Sequence, residues 1–258
     1  MTVVPVLCYH SVSDERRDGT LRWSVSPGDF DEQMALLRQR GHRPLTVREY
    51  ADLLRRRAPL PARPVLVTFD DGFADLGHAA LPALRRYGID ATAFVITSRV
   101  GAVHEAGPTL RWDELAALRD AGVEVGSHGH THRELDCMNS EALRVETATS
   151  RRILEDRLGA PVTSFAYPYG YHDRRVRRAV LAAGYTAACA VKNALSHPQD
   201  DVFAIARVLV ERHTGAGGIE AVLTGRCHPA AWRGERLRTR GWRAYRRARC
   251  AVDAARGR

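Results

Sequence analysis

Short apolar runs alternate along this chain with longer stretches of helical period. Residues 3–9, 65–69, 91–97, 123–127, 162–167, 185–191 and 208–210 have the length and the β-branched or aromatic content of strands, and residues 43–47 add a further short one. Between them, residues 49–57, 81–87, 113–121, 140–158 and 174–183 repeat apolar positions at helical spacing. A further helix begins at Ser26-Pro27 and runs through Phe30, Met34 and Leu37, with Ser26 and Asp29 forming a capping-box-like start and Pro at the first helical position. Gly88, Gly122, Gly159 and Gly184 stand where helix C-terminal caps belong. Such strand–helix alternation predicts a parallel sheet, either open or closed into a barrel. No internal repeat is visible.

The polar residues at the strand ends change the picture. His10 follows the first strand, and Asp70-Asp71-Gly72 follows the run 65–69. His128, His130 and His132 follow 123–127, and Tyr167-Pro168-Tyr169-Gly170 follows the run that begins at Val162. In a parallel barrel all carboxyl ends open on one face, so four unusual clusters are expected to converge there. Asp70 and Asp71 are like charges side by side, which folding does not require; a divalent cation and a proton-transfer task would use both, whereas a helix cap would use only one. Histidines two apart share one face of a strand and histidines four apart share one face of a helical turn, so either pair can grip a metal. The plain alternative, an exposed His-rich loop, suits one histidine better than three.

The ordered segments Thr68-Phe69-Asp70-Asp71-Gly72, His128-Gly129-His130-Thr131-His132 and Phe165-Ala166-Tyr167-Pro168-Tyr169-Gly170 resemble the motifs of the polysaccharide deacetylase family (NodB-homology, carbohydrate esterase family 4) across residues 1–212. The resemblance implies an α/β fold, a distorted (β/α) barrel of about seven or eight parallel strands. It implies Asp70 as catalytic base and Asp71, His128 and His132 as metal ligands. It also implies an oxyanion donor in the backbone N–H of Tyr169, presented by the Pro168 turn. Two imidazoles and a carboxylate suit zinc, with cobalt, nickel and manganese as alternatives. Gly129 stands where the family has Ser or Thr, and His130 is extra to the pattern, expected to lie behind the ligands or point away. His128 with His130 is the competing ligand pair. For the general acid, Tyr9-His10 at a strand end is preferred to Leu195-Ser196-His197, which sits in a polar loop. The family's base-orienting Arg is replaced by Thr163; Arg207, grouped with Pro168 and Tyr169 on the substrate-binding side, is the substitute.

Composition adds bounds. The 258 residues, 45 % of them apolar, can build one barrel, assigned here to residues 1–225, and no apolar stretch is long enough to span a bilayer. No leader is visible, and five scattered cysteines without C-x-x-C suggest reduced thiols, hence a cytoplasmic protein, with the inner membrane face as a second expectation. Residues 226–258 hold eleven arginines against two acids, which equals the whole net charge of +9. This tail is expected to be helical, with Leu237, Gly241, Tyr245, Ala248 and Val252 on one stripe, and to be a solvated tail, a peripheral membrane contact or, least favoured, a nucleic-acid contact. The functional expectation is a metal-dependent hydrolase removing an N-acetyl group from an N-acetylhexosamine in a polysaccharide, glycan precursor or glycosylated small molecule. Its rivals are an amidohydrolase acting on another acyl group or a non-sugar amide, and a non-catalytic glycan-binding module.

Overall fold

A computed structural model describes residues 3–15, 21–104, 107–226, 241–242, 244–246 and 248–250 of the chain. Its main sheet holds eight parallel strands: β1 Val6–Tyr9, β2 Arg43–Pro44, β3 Pro64–Phe69, β4 Ala91–Val95, β5 Glu124–Ser127, β6 Ser164–Ala166, β7 Ala187–Cys189 and β8 Val208–Leu209. They run in the spatial order β7-β6-β5-β4-β3-β1-β8, with β2 paired to the start of β3. The sheet curls into a half-barrel. Among the described residues its two ends share no strand ladder, and a parallel bridge between Cys189 and Ile205 spans the seam. Tyr9 lies opposite Phe69, and Ser127 opposite both Val95 and Phe165, so the strand ends that carry His10, Asp70 and His128 lie near one level.

The strands are buried on both faces, which is why they read as unbroken apolar runs. Helices cover the outside: α1 Pro27–Gln39, α2 Val47–Arg55, α3 Leu81–Tyr87, α4 Trp112–Asp120, α5 Ser140–Arg144, α6 Ser150–Leu158, α7 Arg174–Ala182 and α8 Ala216–Leu223. Ser26 caps α1 by accepting the Asp29 N–H at 3.0 Å, and Thr46 and Glu49 form a reciprocal capping box on α2. Gly88 and Gly159 end α3 and α6 at φ of 63° each, a left-handed conformation that favours glycine.

The expected helix 140–158 is interrupted. A π-turn at Val145–Thr149 separates α5 from α6 and directs Glu146 and Thr147 into the interior. Helix α8 escaped the sequence reading because Gly217 and Gly218 dilute its apolar period.

The described C-terminal residues differ from expectation in two respects. Cys137 and Cys250, with Cα atoms 5.9 Å apart, form a disulfide across 113 positions of sequence, so these two thiols are not reduced; Cys8 and Cys189 are free and buried. The described tail positions are helical, but Tyr245 faces solvent while Arg246 is buried, so the expected apolar stripe is not the packing face. An ion pair between Arg246 and Asp136 decides the orientation instead. Trp232, Leu237, Val252 and Cys227 lie outside the described residues. Among the described residues no helix is long and apolar enough to cross a membrane.

Gly126 in β5 marks the tightest point inside the barrel. A Cβ there would lie 2.6 Å from Ser164 Oγ and 2.7 Å from the Phe94 ring. Gly126→Ala is therefore expected to cost about 1–3 kcal/mol through overpacking, lowering the melting temperature by roughly 2–10 °C in a thermal scan.

Candidate active site

The carboxyl ends of β1, β3 and β5 open on a cleft of about 360 Å³ lined by His10, Trp23, Asp70, Asp71, His128, His132, Tyr169 and Tyr171 among others. Asp71, His128 and His132 each offer one ligand atom, all within 4.8 Å of one another. Asp71 Oδ1 lies 3.6 Å from His128 Nε2 and 3.4 Å from His132 Nε2. That oxygen is buried and accepts no hydrogen bond, a cost that a cation between the three atoms would remove. His128 Nδ1 sits 2.8 Å from Ala166 O; donating to that carbonyl leaves the lone pair of Nε2 facing the cluster. Burial, and then the neighbouring His128, lower the pKa of His132 to about 4, so its ring is neutral as a ligand must be. The donor set fits a divalent metal ion.

Asp70, one residue earlier, has its Oδ2 3.7 Å from His128 Nε2 but is engaged by a different partner. Its carboxylate accepts both prongs of the Arg207 guanidinium, Oδ1 at 2.6 Å and Oδ2 at 2.7 Å. Burial opposes the charge, but Arg207 and then His128 outweigh it and hold the Asp70 carboxyl well below the usual carboxylate range. The Cys8 thiol, pushed up by burial, directs its S–H toward Asp70 Oδ2 at 3.5 Å. Arg207 is fully buried behind Asp70, also reaching Thr68 Oγ1 and Ala190 O, so it faces the carboxylate, where the substitute for the base-orienting Arg is expected, and not the substrate side with which it was also grouped.

The chain reaches these positions through unusual backbone. Asp71, His132 and Tyr169 have φ of 72°, 62° and 58°, which account for half of the six described non-glycine residues with positive φ. Such strain concentrates where surrounding contacts over-determine a functional geometry. One such contact is Glu146, presented by the π-turn. It accepts the backbone N–H groups of His130 at 2.8 Å and Thr131 at 2.9 Å, and the Thr131 hydroxyl as well. Gly129, at φ 80°, leaves room for this: a Cβ there would lie 3.1 Å from Glu146 Oε2. Gly170 is equally constrained, since a Cβ would fall 2.6 Å from Val191 N. The Tyr167-Pro168-Tyr169-Gly170 turn thereby sits against the end of β7, with the Tyr169 ring 4.6 Å from that of His132.

The remaining histidines separate cleanly. His130 turns away to Thr97, with Nδ1 at 2.8 Å from Oγ1, and takes no part in the cluster. His10 stands on the cleft wall against Trp23, its Nδ1 buried without a hydrogen-bond partner. His197 is buried at the opposite end of the barrel, next to the bridge between Val4 and Ser196 and paired with Asp200 at 3.1 Å.

Comparison with known proteins agrees with this geometry. A family profile described as polysaccharide deacetylase matches residues 57–188, a little over half of the chain. The chain belongs to the polysaccharide deacetylase family. Members of this family are hydrolases of amide C–N bonds, and this chain is one of them. A putative polysaccharide deacetylase from Bacillus subtilis, YxkH, is 28 % identical over 207 residues, covering 80 % of this chain and 71 % of its own length. The poly-β-1,6-N-acetyl-D-glucosamine N-deacetylase of Staphylococcus aureus is 26 % identical over 198 residues, covering 73 % of this chain and 68 % of its own. Among solved structures, IcaB from Ammonifex degensii is similar at a TM-score of 0.73 and 28 % identity, covering 86 % of this chain and 97 % of that one. The Streptococcus pyogenes deacetylase PplD in complex with acetate shares the fold at a TM-score of 0.78 and 20 % identity, covering 86 % and 98 %.

Sequence reasoning missed Glu146 altogether: its only signal is an acidic residue at a position of helical period that packs inward. Glu146→Ala should release the backbone that carries His132. The expected outcome is a loss of about 10-fold in metal affinity, read by competition against a chromophoric chelator, with the fold retained.

Proposed function

We propose that this deacetylase removes the N-acetyl group from N-acetylhexosamine residues of a polysaccharide, with zinc held by Asp71, His128 and His132. The observation that carries the reading is the division of labour between adjacent aspartates: Asp71 turns to two imidazoles while Asp70 is clamped by Arg207. The Staphylococcus aureus relative, named for poly-β-1,6-N-acetyl-D-glucosamine, supports an N-acetylglucosamine polymer as the substrate class. Two imidazoles and one carboxylate suit zinc and leave coordination positions open.

A divalent cation held there supplies positive charge that polarises an amide carbonyl and acidifies a water molecule. The rest is the work of the chain. Asp70, whose charge Arg207 favours, takes the proton of the water whose oxygen adds to the acetamide carbon. Cys8 and Arg207 hold its carboxylate in one orientation, so that no rearrangement accompanies proton transfer. The tetrahedral carbon leaves negative charge on the former carbonyl oxygen. The backbone N–H of Tyr169, in a turn that Pro168 and the close packing of Gly170 make rigid, is the donor we assign to it. His10, on the opposite cleft wall, gives a proton to the leaving nitrogen. The C–N bond then breaks to yield a free amine and acetate. Burial of His197 at the far end of the barrel supports His10 for this role.

Acetate release from N-acetylglucosamine oligomers tests the reading. Activity should vanish on chelation and return with zinc. Asp70→Asn and His10→Asn should each lower kcat about 10²–10⁴-fold, with stoichiometric metal retained, while His197→Asn should leave kcat within about 2-fold. Full turnover by Asp70→Asn, or acetate release insensitive to chelation, would contradict it.

A further inference from the structure

The cleft is only large enough for one sugar ring and its acetamide, so the neighbouring units of a polymer must rest on the rim. On one side that rim is built of aromatic rings in sequence. The His132 ring contacts Tyr169 at 4.6 Å between centroids, and Tyr169 stacks on Tyr171 at 5.9 Å and 27°. The C-terminal segment continues the line: Trp242 Nε1 donates to the Tyr171 hydroxyl at 3.0 Å, and Trp242 stacks on Tyr245 at 5.3 Å and 27°. Three of these rings remain about half exposed, Tyr169 at 54 %, Trp242 at 48 % and Tyr245 at 58 %. A run of exposed rings leading out of a catalytic cleft is an apolar surface that water disfavours.

The segment is held there firmly. Arg246 is buried, pairs with Asp136 and lays its guanidinium over the Tyr171 ring, 3.3 Å from the centroid. Arg249 meets Glu134 at 2.8 Å, and the disulfide joins Cys250 to Cys137. All three attachments fall on residues 134–137, directly after His132. Among the described residues of the segment, Arg246 and Arg249 pair with acids of the barrel, and the exposed side chains that continue the line of the cleft, Trp242 and Tyr245, are aromatic. Exposed rings in this position suit a sugar chain, because a pyranose ring packs its C–H face on an aromatic ring and keeps its hydroxyls in water.

We propose that Trp242 and Tyr245, held against the cleft rim through Tyr171, form an additional carbohydrate subsite, contributed by the C-terminal segment, which binds hexosamine units beyond the one being deacetylated. The proposal rests on the deacetylase reading for the kind of sugar, but its own content is a dependence on chain length. Acetate release is measured on β-linked N-acetylglucosamine oligomers of one to five units, and the ratio of kcat/KM for the pentamer to that for the monomer is compared between wild type and variants. Trp242→Ala and Tyr245→Ala are each expected to lower this ratio about 5- to 10-fold, and Trp242→Phe to restore most of it. Both side chains are about half exposed, and a melting temperature like that of the wild type checks that the variants fold. A ratio unchanged in both alanine variants overturns the subsite. So does an alanine variant whose only defect is weaker association with phosphatidylglycerol vesicles, which would make the surface a membrane contact. Should the wild type release no acetate from any of these sugars, the deacetylase reading falls separately. The same oligomers are then titrated calorimetrically into the intact protein, where tighter binding of the pentamer that is lost in Trp242→Ala supports the subsite, and equal binding of all lengths overturns it.

Discussion

The buried pair between Asp70 and Arg207 is the interaction on which this site depends. An ionised carboxylate inside a barrel is expensive, and a bidentate guanidinium at 2.6 and 2.7 Å is among the strongest ways to compensate it. The pair also divides the work of two adjacent acids. With Asp70 satisfied by Arg207, only Asp71 has an oxygen left without a partner, and that oxygen faces two histidines. Arg207 enters beside the seam where β7 and β8 fail to pair, held by the bridge from Ile205 to Cys189 and by Ala190 O. An unclosed barrel thus gives a long side chain a route to the back of the site.

A second constraint keeps the other side in place. Asp71, His132 and Tyr169 are all held at positive φ; Asp71 lies beside Gly72 and Tyr169 between Pro168 and Gly170. Glu146 supplies the counterweight by binding two backbone N–H groups between His128 and His132. It reaches them because a π-turn rotates it inward, a distortion of the kind that accompanies functional sites.

What was legible in the sequence follows from this. Strands buried on both faces leave apolar runs, and polar residues that end such runs stand out, so His10, Asp70, Asp71, His128 and Tyr169 could be placed on one rim. Contacts across long sequence separations left little local trace, and Arg207 was reached only through the base-orienting Arg that the family resemblance implies. Arg207 meets Asp70 across 137 positions, Cys250 meets Cys137 across 113, and neither spacing marks its partner. Glu146 looked like an ordinary helical acid because periodicity cannot announce a π-turn. Arg246 was out of reach for a related reason: an apolar stripe assumes that arginines prefer water, whereas Arg246 finds Asp136 and the Tyr171 ring.

The division between the two aspartates is tested most directly by a crystal structure of the zinc-loaded protein, with anomalous scattering to locate the ion. The account predicts one zinc with Asp71, His128 Nε2 and His132 Nε2 at about 2.0–2.2 Å and Asp70 still clamped by Arg207. Zinc bound directly by Asp70 or by His130, with Arg207 released from the carboxylate, would contradict it.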